Sequence, residues 1–166
     1  KNYSYLISEF ANFLKYNKFE KLLIIGDGEE KQKLKELIKK KDLIKNVFLI
    51  GKTHNVYPYM KNARALILSS LWEEVGFVIV EAAFSNLFVI SSNCPNGPKE
   101  FLENGKAGYL FESNKKNKLT EKLIYFIEEE KNLKTLIIKA KKNSANYTSF
   151  RHYLSLQKIL SYENKI

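Results

Sequence analysis

Ser69-Ser-Leu-Trp-Glu-Glu-Val-Gly-Phe-Val-Ile-Val-Glu81 follows directly on the apolar run Ala65-Leu-Ile-Leu68. The apolar run reads as a buried strand, and Phe77-Val-Ile-Val80 after Gly76 reads as the first turn of a helix. A strand, a short loop and a helix in this order form the unit of a parallel α/β sheet. A helix starting near Gly76 turns its free N–H groups and positive dipole end toward the mouth of that sheet, where an anion is favoured. Glu73 then falls in the loop before the helix, and Glu81 about one and a half turns into it. A phosphate-bearing ligand with hydroxyls at both ends suits this arrangement.

The same alternation extends in both directions. Leu6, Phe10, Phe13 and Leu14 recur at helical spacing. Leu22 to Ile25 reads as a strand closed by the turn Gly26-Asp27-Gly28, Glu29 to Lys41 as a charged helix with one apolar stripe, and Val47 to Ile50 as a second strand ending at Gly51. Val56 to Asn62 gives one or two short helical turns, and Ala65 to Leu68 the third strand. Phe88 to Ser91 and Gly108 to Phe111 supply a fourth and a fifth. Helices are expected over Leu119 to Glu130, Leu133 to Ala145 and Phe150 to Leu160. The fold class is therefore α/β, a Rossmann-like parallel sheet with helices on both faces. Ligands in such sheets sit beyond the carboxyl ends of the strands. The turns at Gly26, Gly51, Ser69 to Gly76 and Ser91 to Gly97 all converge there.

The chain has 166 residues, 45% of them apolar, which suits one domain with a full core. No stretch approaches the 18 apolar residues of a membrane span. Lys1 to Glu9 lacks the layout of a signal peptide, and a start without Met, in mid-pattern, suggests a piece of something longer. The single cysteine, Cys94, excludes an internal disulfide and fits a reducing compartment. Net charge is +10, but Arg64 and Arg151 are the only arginines. Lysine reads bases poorly, so no nucleic-acid partner is expected. The charge is mostly compositional bias, with some attraction to an anionic membrane surface. No Asp-x-Asp occurs, and Cys94 has no partner at metal-ligand spacing. His54 and His152 read as surface or packing residues, and Trp72 as packed within its loop. Taken alone, Glu73 and Glu81 are ordinary solvated charges; the surrounding pattern makes them candidate ligands.

That pattern resembles the C-terminal, donor-binding half of glycosyltransferase family 4, retaining enzymes of the two-domain GT-B fold. The resemblance rests on Leu22-Leu-Ile-Ile-Gly-Asp-Gly28, Val47-Phe-Leu-Ile-Gly51, the Glu73 and Glu81 pair, Asn93-Cys-Pro-Asn-Gly-Pro-Lys-Glu100 and Asn104-Gly-Lys-Ala-Gly-Tyr-Leu110. It covers about residues 1 to 112. The Cys-Pro-Asn-Gly-Pro stretch is similar to a subgroup that builds bacterial surface polysaccharides and lipid-linked oligosaccharides.

The resemblance implies transfer of a sugar, with retention, from a nucleoside-diphosphate sugar to a glycan or lipid-linked acceptor. Residues 1–166 would be a single donor-binding domain, without the family's acceptor domain or the strand and arginine that precede its lysine. Glu73 is implied as the catalytic-site carboxylate on the donor sugar, and Glu81 as the ribose ligand. The N–H groups of Gly76, Phe77 and Val78, with Lys1, are implied at the diphosphate, and Lys52 and Thr53 near the base. No metal or other cofactor is implied. The expected location is cytoplasmic, at the inner face of the membrane. Glu74-Val75 departs from the family's usual Gly-Phe and adds a second carboxylate to the donor loop. The residues leave two other readings open: a non-catalytic nucleotide-binding or scaffolding domain, and a nucleotide-sugar epimerase of the same fold. Residues 1 to 166 by themselves are expected to fold but to transfer no sugar.

Overall fold

The computed structural model describes residues 1–129 and 133–163. Its five strands alternate with helices: α1 (Tyr3–Phe13), β1 (Leu22–Ile25), α2 (Lys31–Lys40), β2 (Val47–Gly51), α3 (Tyr57–Asn62), β3 (Ala65–Leu68) and α4 (Phe77–Phe84). There follow β4 (Phe88–Ser92), α5 (Pro98–Phe101), β5 (Tyr109–Phe111), α6 (Lys118–Glu128), α7 (Lys134–Ser144) and α8 (Ser149–Glu163). The expected helix ending at Glu130 ends at Glu128, and Glu130 itself lies outside the described residues.

Every strand pair is parallel, with Leu22 opposite Val47, Ala65 opposite Phe88, and Ile90 opposite Tyr109. All five residues of β4 are buried, which is why Phe88-Val-Ile lacks the polar alternation of a half-exposed strand. Its side chains alternate between two cores. Phe88 and Ile90 pack with Leu6, Phe10, Leu119 and Phe126 from α1 and α6. Val89 packs on the other face with Ile79 and Ala83 from α4, Phe101 from α5 and Ala140 from α7. The helices therefore cover both faces, as expected. One detail differs: hydrogen bonding divides the strands into β1–β2 and β3–β4–β5. The two parts share one apolar core, in which Leu22, Ile24 and Val47 join Phe88 and Ile90. Periodicity along a strand reports burial and not pairing, so this division had no sequence signal.

A buried carboxylate ties α1 to α6. Asn117, ahead of α6, sits at φ +65° and gives its helix no side-chain cap. Glu9, 3% exposed, supplies the cap from α1. It accepts the N–H groups of Asn117 at 2.9 Å and Thr120 at 3.1 Å, and the Thr120 hydroxyl at 2.9 Å. Replacing Glu9 with alanine strands the buried Thr120 N–H, leaves the Thr120 hydroxyl only the residue 9 carbonyl at 3.0 Å, uncaps Asn117, and is expected to cost about 2–3 kcal/mol. Urea unfolding measures it, with Glu121→Ala on the exposed side of α6 as the reference. Equal midpoints for the two variants would contradict the cap.

Candidate functional site

Past Leu68 the chain leaves β3 through two buried serines and turns Glu73 inward. Glu73 is 8% exposed, between Leu71 and Trp72, which face solvent, and the exposed Glu74. Its Oε1 accepts the Ser70 hydroxyl at 2.5 Å and forms an ion pair with the Lys1 ammonium. The Ser69 hydroxyl donates to the Lys1 carbonyl at 2.9 Å, holding the first residues against the end of β3. Burial raises the pKa of Glu73, but the Lys1 ammonium and the Ser70 hydroxyl together outweigh it and hold the carboxyl below its ordinary range. Glu73 is thus ionised at neutral pH and accepts hydrogen bonds only, which suits a ligand rich in hydroxyls.

Gly76 makes the next turn with φ +71° and ψ +51°, left-handed backbone that glycine adopts without strain. Helix α4 starts at Phe77 with no side-chain cap; the Ile79 N–H is taken by the Gly76 carbonyl at 2.8 Å, and the Phe77 and Val78 N–H groups before it precede the helical ladder. Lys1, Glu73, Glu74, Val75, Gly76, Phe77 and Val78 line a cavity of about 250 Å³ at this helix end. One cation, two carboxylates and a positive dipole end meet in it. A second cavity of about 310 Å³, between Leu23, Pro58, Tyr59, Asn62 and Ala63, holds no charged side chain.

Of the residues expected at the site, Lys1, Glu73, Gly76, Phe77 and Val78 are together in the charged cavity. Glu81 lies one turn farther along α4, half-buried and outside the cavity lining. Lys52 and Thr53 follow β2 and also lie outside it. Thr53 folds back on its own loop, its hydroxyl donating to the Asn55 carbonyl at 3.3 Å. The turns that end β1 and β2 do meet, through the Gly26 N–H and the Gly51 carbonyl at 2.8 Å. Trp72 is 62% exposed, not packed within its loop. Cys94 is buried and free, and both histidines are exposed. Among the described residues no group of three His, Cys, Asp or Glu side chains is placed to hold a metal.

Two contributors escaped the sequence reading. Gly97, at φ +60°, sits so close to the loop before α4 that a Cβ there would lie 2.3 Å from the Val75 carbonyl oxygen. Ser70, 1% exposed, grips Glu73 from three residues upstream. The first had only a Gly-Pro pair as signal, the second only the Ser-x-x-Glu spacing.

Residues 1–143 match the family described as Glycosyl transferases group 1. An uncharacterized glycosyltransferase of Methanocaldococcus jannaschii is 42% identical over 98 residues, 59% of this chain and 24% of that protein. The N-acetylgalactosamine-N,N'-diacetylbacillosaminyl-diphospho-undecaprenol 4-alpha-N-acetylgalactosaminyltransferase of Campylobacter jejuni is 30% identical over 141 residues, 85% of this chain and 38% of that protein. Among solved structures, a variant of S. aureus TarM in complex with fondaparinux, alpha-GlcNAc-glycerol and UDP superposes with a TM-score of 0.86. It is 27% identical, over 93% of this chain and 31% of that one. This chain therefore spans well under half the length of each of these proteins.

Proposed function

We propose that this chain, which belongs to the group 1 glycosyl transferases, forms the donor site of a retaining transferase. The reaction moves a sugar from a nucleoside-diphosphate sugar to a glycan or lipid-linked acceptor. The observation that carries the reading is the meeting of Lys1 and Glu73 at the uncapped start of α4. As the glycosidic bond breaks, negative charge gathers on the departing diphosphate. The α4 N–H groups are fixed where they stabilise that charge without reorganising, and the Lys1 ammonium joins them by turning from Glu73. Glu73 receives the donor-sugar hydroxyls, Glu81 the ribose, and Lys52 and Thr53 border the base. The second half of the cleft, with the acceptor, comes from outside these residues.

UDP as the nucleotide is supported by the complex named above. A lipid-linked acceptor is supported by the undecaprenol-linked substrate in the name of the C. jejuni relative. No helix of the described residues is long and apolar enough to cross a membrane. In this reading such an acceptor is met by peripheral contact at the cytoplasmic face. The +10 charge favours that contact. Nucleic acid is not a partner in this reading.

The test is calorimetric titration of residues 1–166 with UDP, UDP-N-acetylglucosamine and UDP-N-acetylgalactosamine, followed by product analysis with a glycan acceptor and the intact two-domain protein. Binding unchanged by EDTA and a product that keeps the donor's anomeric configuration are expected. An inverted product, or a donor epimerised in the absence of acceptor, would contradict the proposal. Glu81→Ala should weaken UDP by about 1–3 kcal/mol, the usual loss of a charge-assisted hydrogen bond. Equal affinity in folded mutant and parent would remove Glu81 from the site.

A further inference from the structure

Among the described residues, the Lys1 ammonium and the Ser70 hydroxyl both donate to one oxygen of the Glu73 carboxylate, Oε1. The two differ in burial. Lys1 has its side chain half exposed on a cavity wall, where a bound diphosphate would reach it. Ser70 is fully buried, and its backbone is clamped by the neighbouring strands. The Ser92 hydroxyl, at the end of β4, donates to the Ser70 carbonyl at 2.6 Å. The Ser113 hydroxyl, just beyond β5, reaches the same carbonyl at 3.4 Å. Ser92 is itself 0% exposed. The hydroxyl that holds Glu73 is thus anchored through β3, β4 and the segment after β5. Ser69 holds the Lys1 backbone, but the Lys1 ammonium lies at the end of a half-exposed side chain and has no such frame.

We infer that Ser70 is a positioning residue, which keeps Glu73 aimed at the donor sugar when the diphosphate draws Lys1 away. The inference rests on the donor-site reading above. In the free protein Glu73 shares its charge between Lys1 and Ser70. With nucleotide bound, Lys1 turns to the phosphates and Glu73 Oε1 keeps one protein donor, Ser70. Oε2 stays available to a sugar hydroxyl. A carboxylate without that donor would pivot about its side-chain torsions, and the ordering cost would fall on the sugar. Removing the Ser70 hydroxyl should therefore affect recognition of the sugar and spare recognition of the nucleotide.

The experiment compares the parent, Ser70→Ala, Glu73→Gln and the double variant, each titrated with UDP and with UDP-N-acetylglucosamine and UDP-N-acetylgalactosamine. In Ser70→Ala, UDP affinity should stay within about twofold, while the affinity gained from the sugar falls about tenfold, the loss of one charge-assisted hydrogen bond. In the Glu73→Gln background the Ser70 substitution should have little further effect, because the two act as one unit. Carbon-13 titration of the Glu73 carboxyl gives a ligand-free readout, and its pKa should rise in Ser70→Ala. Equal weakening of UDP and sugar nucleotides, full additivity in the double variant, or an unmoved Glu73 titration would each overturn the positioning role and leave the donor site standing. A parent that binds neither UDP nor sugar nucleotide would instead overturn the donor-site reading, and the positioning role with it.

Discussion

Gly97→Ala is expected to lower stability by about 3 kcal/mol or more, and to deform the loop before α4. Two costs add at this position. The backbone has φ +60° and ψ −76°, a region that residues with a Cβ avoid. The new Cβ would also lie 2.3 Å from the Val75 oxygen and 2.7 Å from the Val75 carbonyl carbon. Backbone cannot swing aside as a flexible side chain can, so either the turn before α5 or the loop before α4 must move. Val75 immediately precedes the Gly76 turn, and a shift there misdirects the α4 N–H groups. UDP binding should fall along with stability. For a chain of this size, about 3 kcal/mol corresponds to a melting midpoint lowered by roughly 6–12 °C. Gly28→Ala is the reference, since Gly28 has no neighbour within 4 Å and no positive φ. A Gly97 variant that melts with the Gly28 variant would mean that the two loops are not in contact.

UDP is expected to bind several hundred-fold more tightly than uridine, and Lys1→Ala to remove about tenfold of that gain. The helix end contributes up to about 2 kcal/mol to an anion in a partly buried geometry. A charge-assisted hydrogen bond from Lys1 adds about 1.5–3 kcal/mol. Breaking the Lys1–Glu73 pair offsets part of this, and since the Lys1 side chain is half exposed that loss is small. The gain should shrink with added salt, because the cavity opens to solvent and its charges are screened. Calorimetry with uridine, UMP and UDP separates the phosphate contribution from that of the base. Uridine and UDP of equal affinity would leave α4 and Lys1 without a role.

Much of the framework was legible because it is local. β1 and β3 have the bounds that their apolar runs gave, and Gly76 marks the start of α4 because only its backbone freedom suits that turn. The Lys1, Glu73, Gly76, Phe77 and Val78 group followed from the family resemblance together with the helix-end argument. What stayed hidden depends on contacts between distant residues. Lys1 and Glu73 are 72 positions apart, and charge along the chain does not say which cation meets which carboxylate. Helix α5 is four residues long and opens at Gly97-Pro98, so it read as loop. Trp72 was expected to pack because large aromatics usually do, yet its indole stands 62% exposed beside the cavity loop. The Glu9 cap on α6 joins residues more than a hundred positions apart and left no local trace.

A diphosphate is expected to bind at the start of α4 between Lys1 and Glu73. Backbone amide shifts during titration with UDP test it most directly. The largest changes are expected at Gly76, Phe77 and Val78, with smaller ones from Gly51 to Thr53 where the base would lie. Changes confined to the uncharged cavity of Leu23, Pro58 and Tyr59, or none at millimolar UDP, would contradict it.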